Sequence, residues 1–67
     1  MDMYQRTFAA LDAAGWPQDN DTAAAVFQQL RQSVEAELAT RPENERKKLL
    51  DTLEKAIRRL DVERFRI

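Results

Sequence analysis

The chain has 67 residues and a net charge of −1, and it contains neither cysteine nor histidine. These absences exclude disulfide bonds and thiolate or imidazole metal ligands, and they remove the commonest general base. The sequence also has no glycine-rich phosphate loop and no nucleophile paired with a base, so we expect no enzyme, no cofactor and no metal. Because we find neither a signal-peptide pattern nor a membrane-length apolar stretch, we expect a cytoplasmic location.

Charge is distributed unevenly along the chain. Residues 1–40 carry six acidic and two basic side chains (−4), whereas residues 41–67 carry nine basic and six acidic ones (+3). Opposite charges favour antiparallel packing of the two halves, or of two copies of the chain, over contact between like halves.

The first helix is predicted over residues 3–14, where several alanines raise helix propensity. Gly15 fits a left-handed C-terminal cap, Trp16 can fold back in the hydrophobic contact of a Schellman motif, and Pro17 prevents continuation. The apolar stripe of this helix consists of Tyr4, Phe8 and Leu11.

The second helix is predicted over residues 21–39, with Asp19, Asn20 or Asp21 as its N-cap. Apolar side chains recur at the three–four spacing of one buried face. The members of this stripe are Ala23, Val26, Phe27, Leu30, Val34 and Leu38.

The third helix is predicted over residues 42–63. Thr40 and Glu43 have the spacing of a capping box, and Pro42 falls in the first turn, where its missing N–H costs nothing. Acid-first pairs four residues apart should stabilise the outer face of this helix. These pairs are Glu43–Lys47, Asp51–Lys55 and Glu54–Arg58.

These patterns predict an all-α fold, in which a short N-terminal helix precedes a long antiparallel helical hairpin. So small a chain barely closes a core, and we expect packing as a dimeric helical bundle. The predicted core comprises twelve residues: Phe8, Leu11, Val26, Phe27, Leu30, Val34, Leu38, Leu49, Leu50, Leu53, Ile57 and Leu60.

The C-terminal segment departs from the third helix's apolar stripe, which consists of Leu49, Leu50, Leu53, Ala56, Ile57 and Leu60. If the helix continues, Val62 and Phe65 point away from that stripe; if it frays, they and Ile67 become apolar residues in a basic tail. Phe65 then either covers the end of the bundle or joins Val62 and Ile67 in contacting a partner. A tail that binds nucleic acid through Arg64 and Arg66 is a third interpretation.

Two further groups are candidate binding residues. Trp16 either covers one end of the hairpin or acts as an interface hot spot. Lys48, Lys55 and Arg59 fall close together on the third helix and are possible nucleic-acid contacts. Asp51 lies between them and no aromatic side chain is interleaved, so a solvated, salt-bridged face is the favoured interpretation.

No motif identifies a family. The general plan resembles that of small bacterial and phage interaction proteins, such as Rop-like RNA-binding dimers, type III secretion co-chaperones and phage inhibitors of host factors. This resemblance concerns architecture and no specific residue. It favours a non-enzymatic, protein-binding regulator, inhibitor or chaperone-like adaptor. The alternatives are a homodimeric hairpin that binds nucleic acid through the third helix and a structural subunit of a larger assembly.

Overall fold

The computed structural model describes residues 2–66, which form helices α1 (Met3–Ala13), α2 (Asn20–Glu37) and α3 (Glu43–Glu63) and a 3₁₀-helix (Arg64–Arg66). No strand occurs in this part of the chain, so the all-α fold class is confirmed. The predicted helix ends lie within two residues of the observed ones. Within the described residues, no helix has the length and apolarity to cross a membrane.

The apolar core formed by the described residues lies between the three helices. Val26, Leu49 and Leu50, which we predicted to be core residues, are only partly buried against it. Met3 is buried although it lay on no predicted stripe, and Ala23 and Ala56, which lay on the predicted stripes of the second and third helices, are buried as well. The other buried apolar residues are Leu11, Phe27, Leu30, Val34, Leu38, Leu53, Ile57 and Leu60.

The prediction that Phe8 belongs to the core is wrong, because its side chain is 44% exposed. The buried face of α1 runs instead through Met3, Thr7 and Leu11, which are at most 1% exposed. The Thr7 hydroxyl donates a 2.7 Å hydrogen bond to the Met3 carbonyl. Its polar group is therefore satisfied within the helix, and this small residue can be buried where a stripe through Phe8 was expected.

Helix α1 begins and ends with local hydrogen bonds. Asp2 is its N-cap and accepts a bond from the Gln5 N–H. At its end, the Trp16 N–H donates to the Leu11 carbonyl at 2.9 Å, and Gly15 adopts φ +77. This is the predicted Schellman motif, in which the left-handed residue is a glycine because it has no Cβ.

The N-cap of α2 is Asp19, whose carboxylate accepts bonds from the Thr22 N–H and hydroxyl, both at 2.8 Å. These bonds lower the pKa of the Asp19 carboxyl. The predicted capping box at the start of α3 is wrong. Its N-cap is Pro42, which makes no side-chain capping bond, and Thr40 lies exposed in the preceding turn. The N-cap lies two residues later than the capping box requires, so the Thr40 hydroxyl cannot cap the first turn.

Charged pairs link α2 to its neighbours. The Arg31 guanidinium donates two bonds, of 2.7 and 2.9 Å, to the Glu54 carboxylate of α3, and Arg6 of α1 pairs with Glu37. Glu54 was expected to pair with Arg58 on its own helix; it binds Arg31 instead. Arg31, and to a lesser extent the Arg58 charge, lower the pKa of Glu54 below its ordinary value of 4.5. The stabilisation by this pair is thus complete above pH 4.5 and is lost as the pH falls through the lower folded-state pKa.

Arg64, which was considered as a nucleic-acid contact, is only 3% exposed. Its guanidinium donates to the Pro17 and Gln18 carbonyls at 3.1 and 2.9 Å, to the Asn20 side-chain oxygen, and to Asp61 at 2.7 Å. In return, the Gln18 amide donates to the Arg64 carbonyl at 2.6 Å. These bonds attach the end of α3 to the loop between α1 and α2.

We predict that Leu53→Ala lowers the free energy of unfolding by about 2–5 kcal/mol, because it leaves a cavity beside a fully buried position. Thr40→Ala should change it by less than about 0.5 kcal/mol, since its exposed hydroxyl does not cap α3. Urea denaturation of both variants measures the difference. A larger loss for Thr40→Ala would mean that a cap forms there after all.

We predict that Arg64→Met lowers the free energy of unfolding by about 1–3 kcal/mol, because the carbonyls and carboxylate around it lose their donor. Arg66→Met is the matched control: this neighbouring arginine is exposed and should contribute less than about 0.5 kcal/mol. Equal unfolding curves for the two variants would show that Arg64 does not hold the loop.

Candidate protein-interaction surface

Three aromatic side chains lie along one side of α1 and the loop after it. Tyr4 and Phe8 are one helical turn apart and are 39% and 44% exposed. The Phe8 ring meets the half-buried Trp16 ring edge to face, with 4.9 Å between centroids. Trp16 has φ +52, and its indole N–H donates to Asp12 at 3.1 Å. The Schellman turn and this bond together fix the indole beside Phe8.

Arg59 joins this aromatic row to α3. Its guanidinium lies over the Tyr4 ring, 5.3 Å from the centroid, which is a cation–π distance. Val62 follows one turn later on α3, and Phe65 follows Val62 by three residues. Val62 and Phe65 are 57% and 58% exposed, so neither belongs to the core.

The exposed large apolar side chains in the described part of the chain are therefore neighbours in one chain of contacts and helical spacings. We call this region the aromatic–basic surface. Its members are Trp16, Phe8, Tyr4, Arg59, Val62 and Phe65.

Phe65 is positioned by the buried Arg64. The Arg64 guanidinium lies 4.1 Å from the centroid of the Phe65 ring. Since Arg64 is bonded to the loop on its other side, the 3₁₀-helix that carries Phe65 is fixed next to the Trp16 loop. Arg64 thus holds Phe65 in an exposed position.

A depression of about 230 Å³ adjoins the surface between α1 and α3. Ala56 forms an apolar part of its lining, and Tyr4, Lys55 and Arg59 stand around it. It has room for an apolar side chain, with cationic groups at its edge. Its remaining lining residues are Asp2 and Thr52.

The structure brings together some of the predicted binding residues. Trp16, Val62 and Phe65 all belong to the aromatic–basic surface, whereas Ile67 lies outside the described residues. Arg59 was predicted as a nucleic-acid contact, but it stacks on Tyr4. Lys55 pairs with Asp51 at 3.1 Å, and Lys48 is exposed.

Sequence reasoning missed Tyr4 and Phe8 as surface residues. Their exposure follows from the burial of Met3 and Thr7, which lie on an adjacent stripe of the same helix. A threonine seven residues into the chain gave no signal of burial. The sequence did offer two neighbouring stripes on this helix, one through Met3 and Thr7 and one through Tyr4 and Phe8. Adjacent residues point in different directions on a helix, so only one of the two stripes can face the core directly.

No protein-family model, no curated protein and no solved structure matches this chain. Among residues 2–66, no group of three or more acidic side chains could hold a metal ion.

Proposed function

We propose that the protein is a small non-enzymatic binding protein, a regulator, inhibitor or chaperone-like adaptor, that docks against a helix of another protein. The observation that carries this proposal is the continuity of the aromatic–basic surface. Isolated exposed apolar residues are ordinary, but contiguous ones mark interaction sites. Aromatic residues and arginine, which make up most of this surface, are also the types enriched at interface hot spots.

We further propose that α2 and α3 form an antiparallel hairpin. Arg64, directly after α3, contacts Pro17, Gln18 and Asn20 around the start of α2. Arg31 and Glu54 pair near the middle of the two helices. The short turn between Glu37 and Glu43 joins the other ends of the two helices. This arrangement gives the aromatic–basic surface a rigid base.

A second candidate is nucleic-acid binding through Lys48, Lys55 and Arg59, as the basic face of α3 suggested. One observation favours it: Tyr4 lies beside Arg59, so an aromatic ring does lie among the basic side chains. Asp51 weighs against it, because this acid stands among the three cations. Nucleic-acid affinity should fall steeply as salt is added, whereas apolar helix docking should change little.

The proposed docking is tested with the double variant Val62→Ser, Phe65→Ser. A library of helical peptides is selected on the immobilised parent protein alone, and the affinity of the selected peptides is then measured for the parent and for the variant. Selected peptides should bind the variant roughly tenfold or more weakly, because two hot-spot side chains are lost. The melting temperature of the variant should stay within a few degrees of the parent's, since both positions are exposed.

Leu60→Ser is the control for stability. This position is 1% exposed, so the substitution should lower the melting temperature strongly. If the double variant loses stability in the same way while its peptide affinity is unaltered, Val62 and Phe65 are structural and the docking proposal is wrong.

Self-association as a dimeric bundle remains a separate proposal, supported by the small size of the core. An uncharged groove of about 460 Å³ between α1 and α2 suits a second copy, because small side chains there allow close approach. Light scattering at micromolar concentration should then report two chains. A monomer throughout the range up to millimolar concentration would rule self-association out. The groove residues are Ala10, Ala13, Ala14, Val26, Gln29, Leu30 and Ser33.

A further inference from the structure

We infer that the aromatic–basic surface takes an acidic amphipathic helix: a partner segment with one apolar face, edged by aspartate or glutamate along the side that meets α3. This inference rests on the proposed function and specifies the chemistry of the partner. The charges around the surface, and the partners that some of them already have, support it.

Among residues 2–66, each side-chain carboxylate beside the surface has a donor within the chain. Asp2 accepts from the Gln5 N–H as the cap of α1, and Asp12 accepts from the indole of Trp16. On α3, Asp51 pairs with Lys55 at 3.1 Å and Glu63 pairs with Arg66 at 3.6 Å. These last two pairs are exposed. These acids therefore do not require a cation from a partner protein.

The cations present the opposite case. Within residues 2–66, Lys48, Arg58 and Arg59 make no ion pair within 4.0 Å. Arg59 stacks on Tyr4, and Arg58 acts on Glu54 only through its charge, at longer range. Their helical positions place all three on the outer side of α3, and Val62 lies one turn beyond Arg58 and Arg59. A carboxylate arriving beside Val62 would meet the uncompensated charges of Arg58 and Arg59, whereas Lys48 lies 14 residues, or about 21 Å, earlier on the helix.

A second copy of the chain does not fit this surface. In an isologous contact the same surface lies on both sides, and none of its members is a carboxylate, so Arg58 and Arg59 would gain no acidic partner from a second copy. Helix α2, which carries exposed acids, has none of the exposed large apolar residues. It therefore cannot supply both the carboxylates and the anchors, and the partner is a different protein.

Single-stranded nucleic acid is the less favoured ligand. Bases stack on open aromatic faces. Here Arg59 already lies over one face of the Tyr4 ring, and the Trp16 ring is half-buried against Phe8. The apolar face of a partner helix can pack against the ring edges and apolar side chains that are exposed here. The depression beside Ala56 can admit one side chain of that helix.

The test uses three synthetic helical peptides, free of tryptophan, that share one apolar face and differ only in the residues that flank it: glutamate, glutamine or lysine. Trp16 is the only tryptophan of the chain, so its fluorescence reports docking directly. The glutamate peptide should bind most tightly and the lysine peptide most weakly, and the preference should shrink with added salt. A glutamate peptide with scrambled apolar positions should bind poorly, because charge alone lacks the anchors.

Charge-neutralising variants identify the groups responsible. Arg58→Gln with Arg59→Gln should weaken binding of the glutamate peptide roughly 2- to 30-fold and leave the glutamine peptide nearly unaffected. The matched control is Arg41→Gln with Lys47→Gln, which removes the same charge from exposed pairs at the other end of α3. This control should change the affinity less than about twofold.

The outcomes separate the inference from the proposed function. If all three peptides bind equally and Val62→Ser, Phe65→Ser abolishes their binding, the surface docks helices but the acidic-partner inference is wrong. If no peptide binds, or if only an oligothymidylate binds and the arginine variant loses it, both the inference and the proposed function are overturned.

Discussion

The Arg64 guanidinium holds the end of α3 against the loop between α1 and α2, and the exposed surface depends on this attachment. A charged group this deeply buried is tolerated because two carbonyls, an amide oxygen and a carboxylate accept hydrogen bonds from its N–H groups. The same guanidinium supports the Phe65 ring. Without these bonds, the 3₁₀-helix would not be held beside the loop that carries Trp16. The apolar residues of the tail and of α1 would then not form one surface.

Local sequence signals predicted the parts of the fold that local interactions determine. Gly15 and Pro17 marked the end of α1, and the three–four spacing in α2 correctly identified Phe27, Leu30 and Val34 as buried. The Schellman bond between Trp16 and Leu11 closes within six residues, so its pattern is legible in the sequence. Such features need no knowledge of which helix lies opposite.

The features that escaped prediction depend on contacts between distant residues. Whether α1 buries Thr7 or Phe8 is decided by its rotation against α2 and α3, and Thr7 wins because it is small and bonded internally. Glu54 pairs with Arg31 across 23 positions, in place of the expected neighbour on its own helix. Arg64 looked like an exposed tail residue, since three of its four acceptors lie more than 40 positions earlier. Of the candidate site, sequence reasoning thus supplied the residues that break the apolar pattern but not their assembly with Tyr4 and Phe8.

The most direct test of this account is hydrogen exchange of the arginine side chains, followed by NMR. Single Arg→Lys substitutions assign the signals to individual arginines. If Arg64 is buried and bonded as described, its Nε–H and Nη–H protons will exchange slowly with water and show contacts to the Phe65 ring, whereas those of the exposed Arg66 will exchange fast. Equally fast exchange for Arg64 and Arg66, without contacts to the ring, would contradict the account.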